Sequence, residues 1–464
     1  MSRLFILSEM KKLISLSLLV LSAAVSHSPI SAAAKPNIIF IITDDLGYGD
    51  LGCYGQKTIR TPVLDKLAAE GIRFTQHYSG STVCAPSRST LMTGLDTGST
   101  WLRGNGEFEL RPDPADLTVA TLLQRAGYCT AMVGKSCVTG NTRNPQHVLN
   151  KGFDVFYGTT SHVDGHFRYP LFVYDQEKKI GLEGNKLHSG KSYDAELYTA
   201  RAERFIRETE DPFFLLLSYP IPHASVIGPE GSVPGGAGVK HSKGHYTQVK
   251  DPAAHYRAMV EALDGYVGRL LAALGEKGVA KDTLIVFTSD NGPHFEGGYN
   301  PRMFNSSGPL RGGKRDLYEG GIRVPMIAHW PAGITKPGAS DHVSAFWDFL
   351  PTACELAGVP APGGVDGISY APTLTGKGGQ RAHDFLYWEF HESNTRRALR
   401  QGDWKLVQYD LAKNGKPELY HLGNDLAETK NLSKEEPERV AAMLRIMEER
   451  HKPSPIFPNK ALDQ

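Results

Sequence analysis

The chain has 464 residues, 40% hydrophobic and 22% charged, a balance that supports a globular fold with room for one large domain and a smaller one. The formal net charge is +1, and removing residues 1–34 (Arg3, Lys11, Lys12 and Glu9) takes it to −1, which leaves no electrostatic footprint for nucleic acid. Five cysteines, at 53, 84, 129, 137 and 354, are too few for a disulfide scaffold at this length.

Residues 1–34 read as a secretory signal. Lys11 and Lys12 precede an apolar run over 13–25, and Ala32-Ala33-Ala34 offers a small-residue cleavage site. Met10, directly before the lysines, is an alternative start. The run is short for a membrane span, and no other stretch is apolar enough for one. The expectation is a periplasmic or secreted protein.

Residues 36–43 are a β-branched apolar run and predict a strand buried on both faces. The run ends at Asp44-Asp45, two adjacent carboxylates that need either water or a cation. Thr61-Pro62 starts a helix with Val63, Leu64, Leu67 and Ala68 on one face, and Gly71 stops it. Residues 81–94 read as a loop turning into a short helix. Pro86 suits the first turn and Gly94 the stop. Cys84 then falls just ahead of a helix N-terminus, where free N–H groups favour an anion, and Arg88 adds a fixed positive charge one turn on.

A helix over 117–126 ends at Gly127, and a strand over 129–133 leads into Gly134-Lys135. Residues 138–192, rich in Gly, Asn, His and Tyr, read as an irregular insertion of the kind that carries binding surfaces. A helix over 193–207 precedes an apolar strand over 213–218, and His223 follows. The Gly/Pro-rich loop 228–250 holds Lys240, His241, Lys243, His245 and Lys250, either as solvated side chains or as a cationic rim for an anionic polymer. A helix over 253–274 and a strand over 284–288 lead to Asp290-Asn291.

Strand and helix alternate, with polar chemistry at strand C-terminal ends. That pattern predicts an α/β fold: a large, mostly parallel sheet with helices on both faces. From about 376 the character changes to short strands at 385–389, 398–400, 404–408 and 418–420, then a helix over 435–451. The expected organisation is a main domain over 35–375 and a C-terminal antiparallel sheet plus helix over 376–464. Cys129 and Cys354 sit in apolar patterns and read as core residues. With Cys84 set aside, four cysteines allow up to two bridges of unassigned pairing.

Asp44, Asp45, Asp290 and Asn291 form two oxygen-ligand pairs, each just past a buried strand. Hard ligands of this kind suit Ca²⁺ or Mg²⁺ and not Zn²⁺.

The segment Cys84-Ala85-Pro86-Ser87-Arg88, followed by Ser89-Thr90-Leu91-Met92-Thr93-Gly94, resembles the maturation signature of the type I, formylglycine-dependent sulfatases of the alkaline phosphatase superfamily. The resemblance implies that a formylglycine-generating enzyme oxidises Cys84 to an aldehyde, whose hydrate attacks the sulfur of a sulfate ester. It implies one Ca²⁺, held by Asp44, Asp45, Asp290, Asn291 and the modified Cys84. Arg88 and Lys135 match residues that hold the formylglycine. His223 and Lys314 match residues that bind sulfate, with His223 near the leaving oxygen. Asp290 would also position or deprotonate the attacking hydroxyl. Arg311 and Arg315 read as structural or rim residues.

Residues 288–298, 308–325 and 345–352 look like bacterial polysaccharide sulfatases, and the suggested substrate is a glycan carrying galactose or N-acetylgalactosamine sulfate. One departure stands out. Many family members have a histidine as base two residues after the lysine, and here that place holds Cys137. The base role then falls to His162, His166, His294, a water or a Cys137 thiolate, or turnover is impaired. Trp388, Glu389, His391 and Glu392 line either a sugar subsite or an interface between the two parts of the chain. Two rival readings are a phosphate or phosphonate ester hydrolase on the same scaffold and a non-catalytic homologue that binds sulfated glycan.

Overall fold

Ile38, Ile39, Phe40, Ile41 and Ile42 belong to the strand Asn37–Asp44, which is buried along its whole length in the computed structural model. Residues 35–210, 212–239, 244 and 246–463 are described. The expected signal over 1–34 lies outside them, as do Lys240, His241, Lys243 and His245 of the basic loop; Lys250 is exposed. From Pro36 onward the chain forms one compact unit.

Asn37–Asp44 lies inside a ten-stranded sheet. Across the sheet the order is Gly338–Ser340, Ile72–Phe74, Met326–His329, Thr283–Ser289, Asn37–Asp44, Phe213–Pro222, Cys129–Lys135, Val155–Thr159, Phe172–Asp175 and Lys178–Gly181. The five strands from Thr283–Ser289 to Val155–Thr159 run parallel. Their register aligns Thr43 with Ser289, Asp44 with Pro222, Gly134 with Ser218 and Lys135 with Thr159. The strands therefore end together, and the polar residues beyond them share one edge of the sheet.

Alternation along Asn37–Asp44 splits the core. Ile39 and Ile41 pack with Leu64 and Leu67 of the helix Pro62–Glu70, with Tyr198 and Phe205 of Asp194–Glu208, and with Met259 and Leu263 of Pro252–Lys277. Ile38, Phe40 and Ile42 face the other way, against Leu91 and Met92 of Cys84–Thr93, Leu123 of Val119–Arg125 and Phe349 of Phe349–Ala357. Each fully buried Ile or Leu contributes roughly 2 kcal/mol, so burial on both faces dominates the stability of the central strand.

Residues 138–192 are not an irregular insertion. They hold the helix Pro145–Asn150 and the strands Val155–Thr159, Phe172–Asp175 and Lys178–Gly181, which extend the large sheet. These strands are four or five residues long and rich in Gly, Tyr, Lys and Asp, so their composition hides them. At Gly158 an added Cβ would lie 1.9 Å from Gly134 O. Glycine is required there because the neighbouring backbone closes onto it.

Residues 386–421 form a four-stranded antiparallel sheet in the order Leu386–Phe390, Arg396–Gln401, Trp404–Gln408, Pro417–His421. One face, with Trp388, Ala398 and Val407, packs on Tyr78, Ile322 and Trp347 of the main body. The other, with Tyr387, Leu399 and Leu406, is covered by Val440, Met443 and Met447 of the helix Pro437–Arg450. Period-2 strands meeting a 3.6-period helix account for both faces.

All five cysteines are free thiols, so none of the bridges allowed by their number forms. Cys354 is buried and Cys129 half-buried in the apolar core. The fold is a large mixed, mostly parallel sheet between helices with a small antiparallel sheet beside it, as the residue pattern predicts.

Candidate active site

Cys84 is the first residue of the helix Cys84–Thr93, one place further in than its sequence suggests, and Gly94 ends that helix in the left-handed region at φ +71°. The helix is buried throughout. It aims Cys84 and Arg88 at the carboxyl edge of the central strands. Arg88 Nε donates to Asp290 Oδ2 at 2.9 Å, and Nη1 donates to Ser218 Oγ at 2.5 Å. The Arg88 Nη2–Asp44 Oδ2 separation is 3.8 Å. A fully buried guanidinium is costly unless paired, and these carboxylates compensate it.

Asp45 takes φ +67°, which turns the chain sharply at the strand end and lets Asp44 and Asp45 both point inward. Asp44, Asp45, Asp290 and Asn291 are all 0% exposed. Lys135, the last residue of its strand, donates to Asp44 Oδ2 at 2.5 Å and to His166 Nε2 at 3.0 Å. Lys314 donates to Asp45 Oδ2 at 2.8 Å, to His223 Nε2 at 2.9 Å and to Glu296 Oε2 at 3.1 Å. Every expected site residue is thus drawn into one cluster: Cys84, Arg88, Lys135, His223, Lys314, Asp44, Asp45, Asp290 and Asn291.

The electrostatics are those of buried, closely packed charges. Burial opposes ionising Asp44, but Lys135 and Arg88 outweigh it and hold its pKa far below the usual carboxylate range. Burial, reinforced by the Asp44 charge, pushes Asp290 up to about 8. Burial and the nearby Lys314 hold His223 well below its ordinary value, so its imidazole is neutral. His223 Nδ1–H donates to Ala224 O, leaving Nε2 as the acceptor for Lys314. Burial also pushes the Cys84 thiol up to about 11.

The acid pairs fit a hard dication. Asp44 Oδ1 and Asn291 Oδ1 are buried and have no hydrogen-bond partner among the described residues. Asn291 Nδ2 donates to Asp45 Oδ1 at 2.7 Å and to Gly292 O at 2.9 Å, which fixes the amide plane and leaves Oδ1 as an unused acceptor. Asp44, Cys84 and Asp290 offer ligand atoms within 4.8 Å of one another, as do Asp44, Asp45 and His223. Orphaned buried oxygens among paired carboxylates are what a Ca²⁺ or Mg²⁺ site needs.

Other residues complete the site. Asn105 Oδ1 lies 3.7 Å from Cys84 Sγ and accepts from Ala85 N–H at 3.4 Å. His162 Nδ1 is 3.5 Å from the same sulfur, and His162 Nε2–H donates to Ser136 O at 3.2 Å. Glu296 and Tyr246 also reach the site. Asn105, Tyr246 and the role of Glu296 escape the sequence reading; the Gly104-Asn105-Gly106 turn is the one local signal. Cys137 is buried with its sulfur 3.5 Å from Arg88 Nη1, and burial, partly offset by Arg88, pushes its thiol up. It is a neutral thiol and not the thiolate a base would require.

Of the four C-terminal residues with two readings, Trp388 and Glu389 are packing residues. Trp388 is buried and donates from Nε1 to Ser79 O at 3.0 Å. Glu389 is buried among Arg103, His391 and His451. Glu392 is half-buried and lies 3.5 Å from Asn105 Nδ2.

Cys84 lies on a cavity of about 240 Å³, lined also by Asn105, Asn141, His162, Tyr246 and Arg315. A larger hollow of about 620 Å³, lined by Tyr54, Gln56, Arg302 and Met303, contains none of the clustered charges, whereas the smaller cavity adjoins them. Among the described residues no helix is long and apolar enough to cross a membrane.

The Sulfatase family model matches residues 36–359, and the family model described as N-sulphoglucosamine sulphohydrolase, C-terminal, matches residues 312–452. The chain is 34% identical to human steryl-sulfatase, over 77% of this chain and 72% of that protein. It is 29% identical to the N-acetylgalactosamine-6-O-sulfatase of Bacteroides thetaiotaomicron, over 89% of this chain and 93% of that protein. The crystal structure of Ps i-CgsB in complex with k-i-k-neocarrahexaose superposes with a TM-score of 0.76 at 28% identity, over 89% of this chain and 92% of that one. The chain belongs to the sulfatase family and is a sulfuric ester hydrolase with the alkaline-phosphatase-like fold of that family.

Proposed function

We propose that the protein hydrolyses sulfate monoesters on a glycan carrying galactose or N-acetylgalactosamine sulfate, with formylglycine made from Cys84 as nucleophile and one Ca²⁺. The observation that carries this reading is Cys84 on the wall of a 240 Å³ cavity, backed by Arg88, Lys135 and Lys314. The glycan part is supported by the likeness to a named N-acetylgalactosamine-6-O-sulfatase and to a structure holding a neocarrahexaose. The proposed site is within the periplasm or outside the cell, after maturation by a formylglycine-generating enzyme.

Asp44, Asp45, Asp290, Asn291 and residue 84 would hold the ion, which supplies Lewis-acid polarisation of sulfate oxygens. The oxidised side chain at 84 supplies the hydroxyl nucleophile. Arg88 fixes Asp290 and thereby the helix start that carries residue 84. Lys135 and Lys314 place positive charge where sulfate oxygens sit, in a buried site where that charge acts strongly. Lys314 also orients His223 through its 2.9 Å bond to Nε2. The Lys314 ammonium, already bonded to His223 Nε2, is the proton source for the departing sugar oxygen: a proton passed from Lys314 to Nε2 would make His223 the donor to that oxygen, leaving Lys314 neutral until it is reprotonated. His162, 3.5 Å from Cys84 Sγ with Nδ1 as acceptor, is placed for the proton-accepting role that Cys137 cannot fill.

The test is sulfate release followed by ion chromatography. The protein is co-expressed with a formylglycine-generating enzyme, and conversion at Cys84 is verified by peptide mass. The panel is galactose and N-acetylgalactosamine sulfated at O4 or O6, glucosamine sulfates, and matched phosphate esters. Release from a galactose or N-acetylgalactosamine sulfate supports the reading. Faster hydrolysis of the phosphate esters overturns it in favour of a phosphatase, and binding without release from a fully converted sample favours the non-catalytic reading.

A further inference from the structure

Arg315 lies next to Lys314 but makes no hydrogen bond to Asp44 or Asp45. Its φ is +72°, a left-handed conformation that is costly for any residue but glycine. Three contacts hold it there. Arg315 N–H donates to Thr82 O at 3.0 Å, the Arg396 guanidinium donates to Arg315 O, and Arg315 Nη1 donates to Glu296 Oε1 at 2.5 Å. Two of these anchors come from elements far away in sequence, the Cys84 loop and the C-terminal sheet. The strain is therefore maintained by the surrounding structure, and its effect is to direct the side chain to the wall of the Cys84 cavity.

The Arg315 side chain is 37% exposed, whereas Lys314 beside it is 3% exposed. Glu296 occupies one edge of the guanidinium, and Arg315 Nε and Nη2 have no acceptor among the described residues. Glu296 is shared, since its other oxygen accepts from Lys314. Burial works against ionising Glu296, but Lys314, His294 and Arg315 hold its pKa down at about 2, so the carboxylate stays charged and in place. Asn105, Asn141 and Tyr246, which also line the cavity, are uncharged. The cavity thus has buried cations at its base and, among the described residues that line it, one accessible cation, Arg315, with free donors in a planar fork.

We infer that Arg315 forms a second anion subsite, adjoining the pocket for the scissile sulfate, for a further sulfate or a carboxylate on the same sugar or its neighbour. A guanidinium fork matches either group through paired N–H donors. This inference rests on the sulfatase reading. It makes Arg315 a specificity residue, reading the charge pattern of the glycan and not the bond that is cleaved.

The experiment compares wild type with Arg315→Gly and Arg315→Lys. Glycine accepts φ +72° and removes the guanidinium; lysine keeps the charge and loses the fork. The substrates are N-acetylgalactosamine 6-sulfate, N-acetylgalactosamine 4,6-disulfate, and a 6-sulfated disaccharide with a uronate carboxylate. KM and kcat are measured on converted enzyme. Dissociation constants are measured by calorimetry in a Cys84→Ser background, which needs no maturation. The expected wild-type preference for one dianionic substrate is about tenfold or more, in KM and in Kd. Whether the disulfate or the uronate is preferred identifies the anion. Arg315→Gly is expected to abolish the preference, raising KM and Kd for the favoured dianionic substrate about tenfold more than for the monosulfate, and to keep Tm within about 3 °C, with Arg315→Lys intermediate. Equal losses on all three substrates, a collapse of Tm, or no dianion preference in wild-type Kd values would overturn the inference. Absence of sulfate release by converted wild type strikes the sulfatase reading alone, since the Cys84→Ser binding ratios still decide the role of Arg315.

Discussion

Lys314 donates to His223 Nε2 at 2.9 Å while His223 Nδ1–H is committed to Ala224 O, so the two residues share one fixed tautomer. Lys314 also bonds Asp45 at 2.8 Å. Removing the ammonium would strip Asp45 Oδ2 of its charged partner and remove the donor that holds His223 Nε2. Lys314→Ala is expected to cost about 3 kcal/mol of stability, in line with broken buried pairs, and to lower kcat/KM by a hundredfold or more. Urea denaturation and initial rates test this. An unchanged midpoint would mean Asp45 is satisfied by other means.

The close approach at Gly158 links fold to site. A Cβ there would lie 1.9 Å from Gly134 O, and Gly134 precedes Lys135 in the same strand. Gly158→Ala is expected to force the two strands apart, costing about 2 kcal/mol or more, and to displace Lys135 from Asp44. The check is a drop in both Tm and activity that Lys135→Met would not deepen in the double variant.

Metal removal provides a third test. With Asp44 Oδ1 and Asn291 Oδ1 unpartnered among the described residues, a dication held there would stabilise the folded chain by mass action. Chelation is expected to lower Tm by several degrees and abolish turnover, with calcium restoring both. Unchanged melting and unchanged activity after chelation would refute the metal assignment.

Away from the site, His383 Nε2 bonds Asp348 Oδ1 at 2.8 Å. Burial opposes its charge, but Asp348 outweighs burial and raises its pKa. A raised folded-state pKa means that this pair's stabilising effect is fully present below the unfolded histidine value of about 6.5 and is lost as pH rises through the folded value. The stability gap between wild type and His383→Asn should therefore be largest near pH 5.5 and shrink toward pH 8.5. A gap that grows with pH would reverse the assignment.

Cys137 yields a negative expectation with a definite readout. As a buried thiol with a raised pKa, it takes no proton near neutrality. Cys137→Ala is expected to keep kcat within about threefold, the scale of a lost weak sulfur hydrogen bond to Arg88. Loss of a hundredfold or more would show that the sulfur itself takes part.

The parts of the site legible in sequence share a physical cause. Asp44-Asp45 and Asp290-Asn291 follow apolar runs that can only be buried strands, and parallel register then brings strand ends together. Cys84 and Arg88 lie within one continuous motif. Asn105, Tyr246 and Glu296 arrive on loops whose paths depend on tertiary packing, and no local periodicity marks them. The strands within 138–192 were obscured for a related reason. Val155–Thr159 is ordered by pairing with Cys129–Lys135 through the Gly134–Gly158 contact, a non-local interaction that residue propensities do not encode. Trp388 and Glu389 have polar atoms like those of a sugar subsite, and only burial against Ser79 and Arg103 identifies them as packing residues.

The central claim is that oxidised Cys84 performs sulfate-ester hydrolysis. It is tested most directly by preparing the protein at several degrees of conversion, with Cys84→Ala as the zero point, and measuring sulfate release from N-acetylgalactosamine 6-sulfate in each. The account predicts a rate proportional to the fraction converted and none from Cys84→Ala. A rate independent of conversion, or turnover by Cys84→Ala, would contradict it.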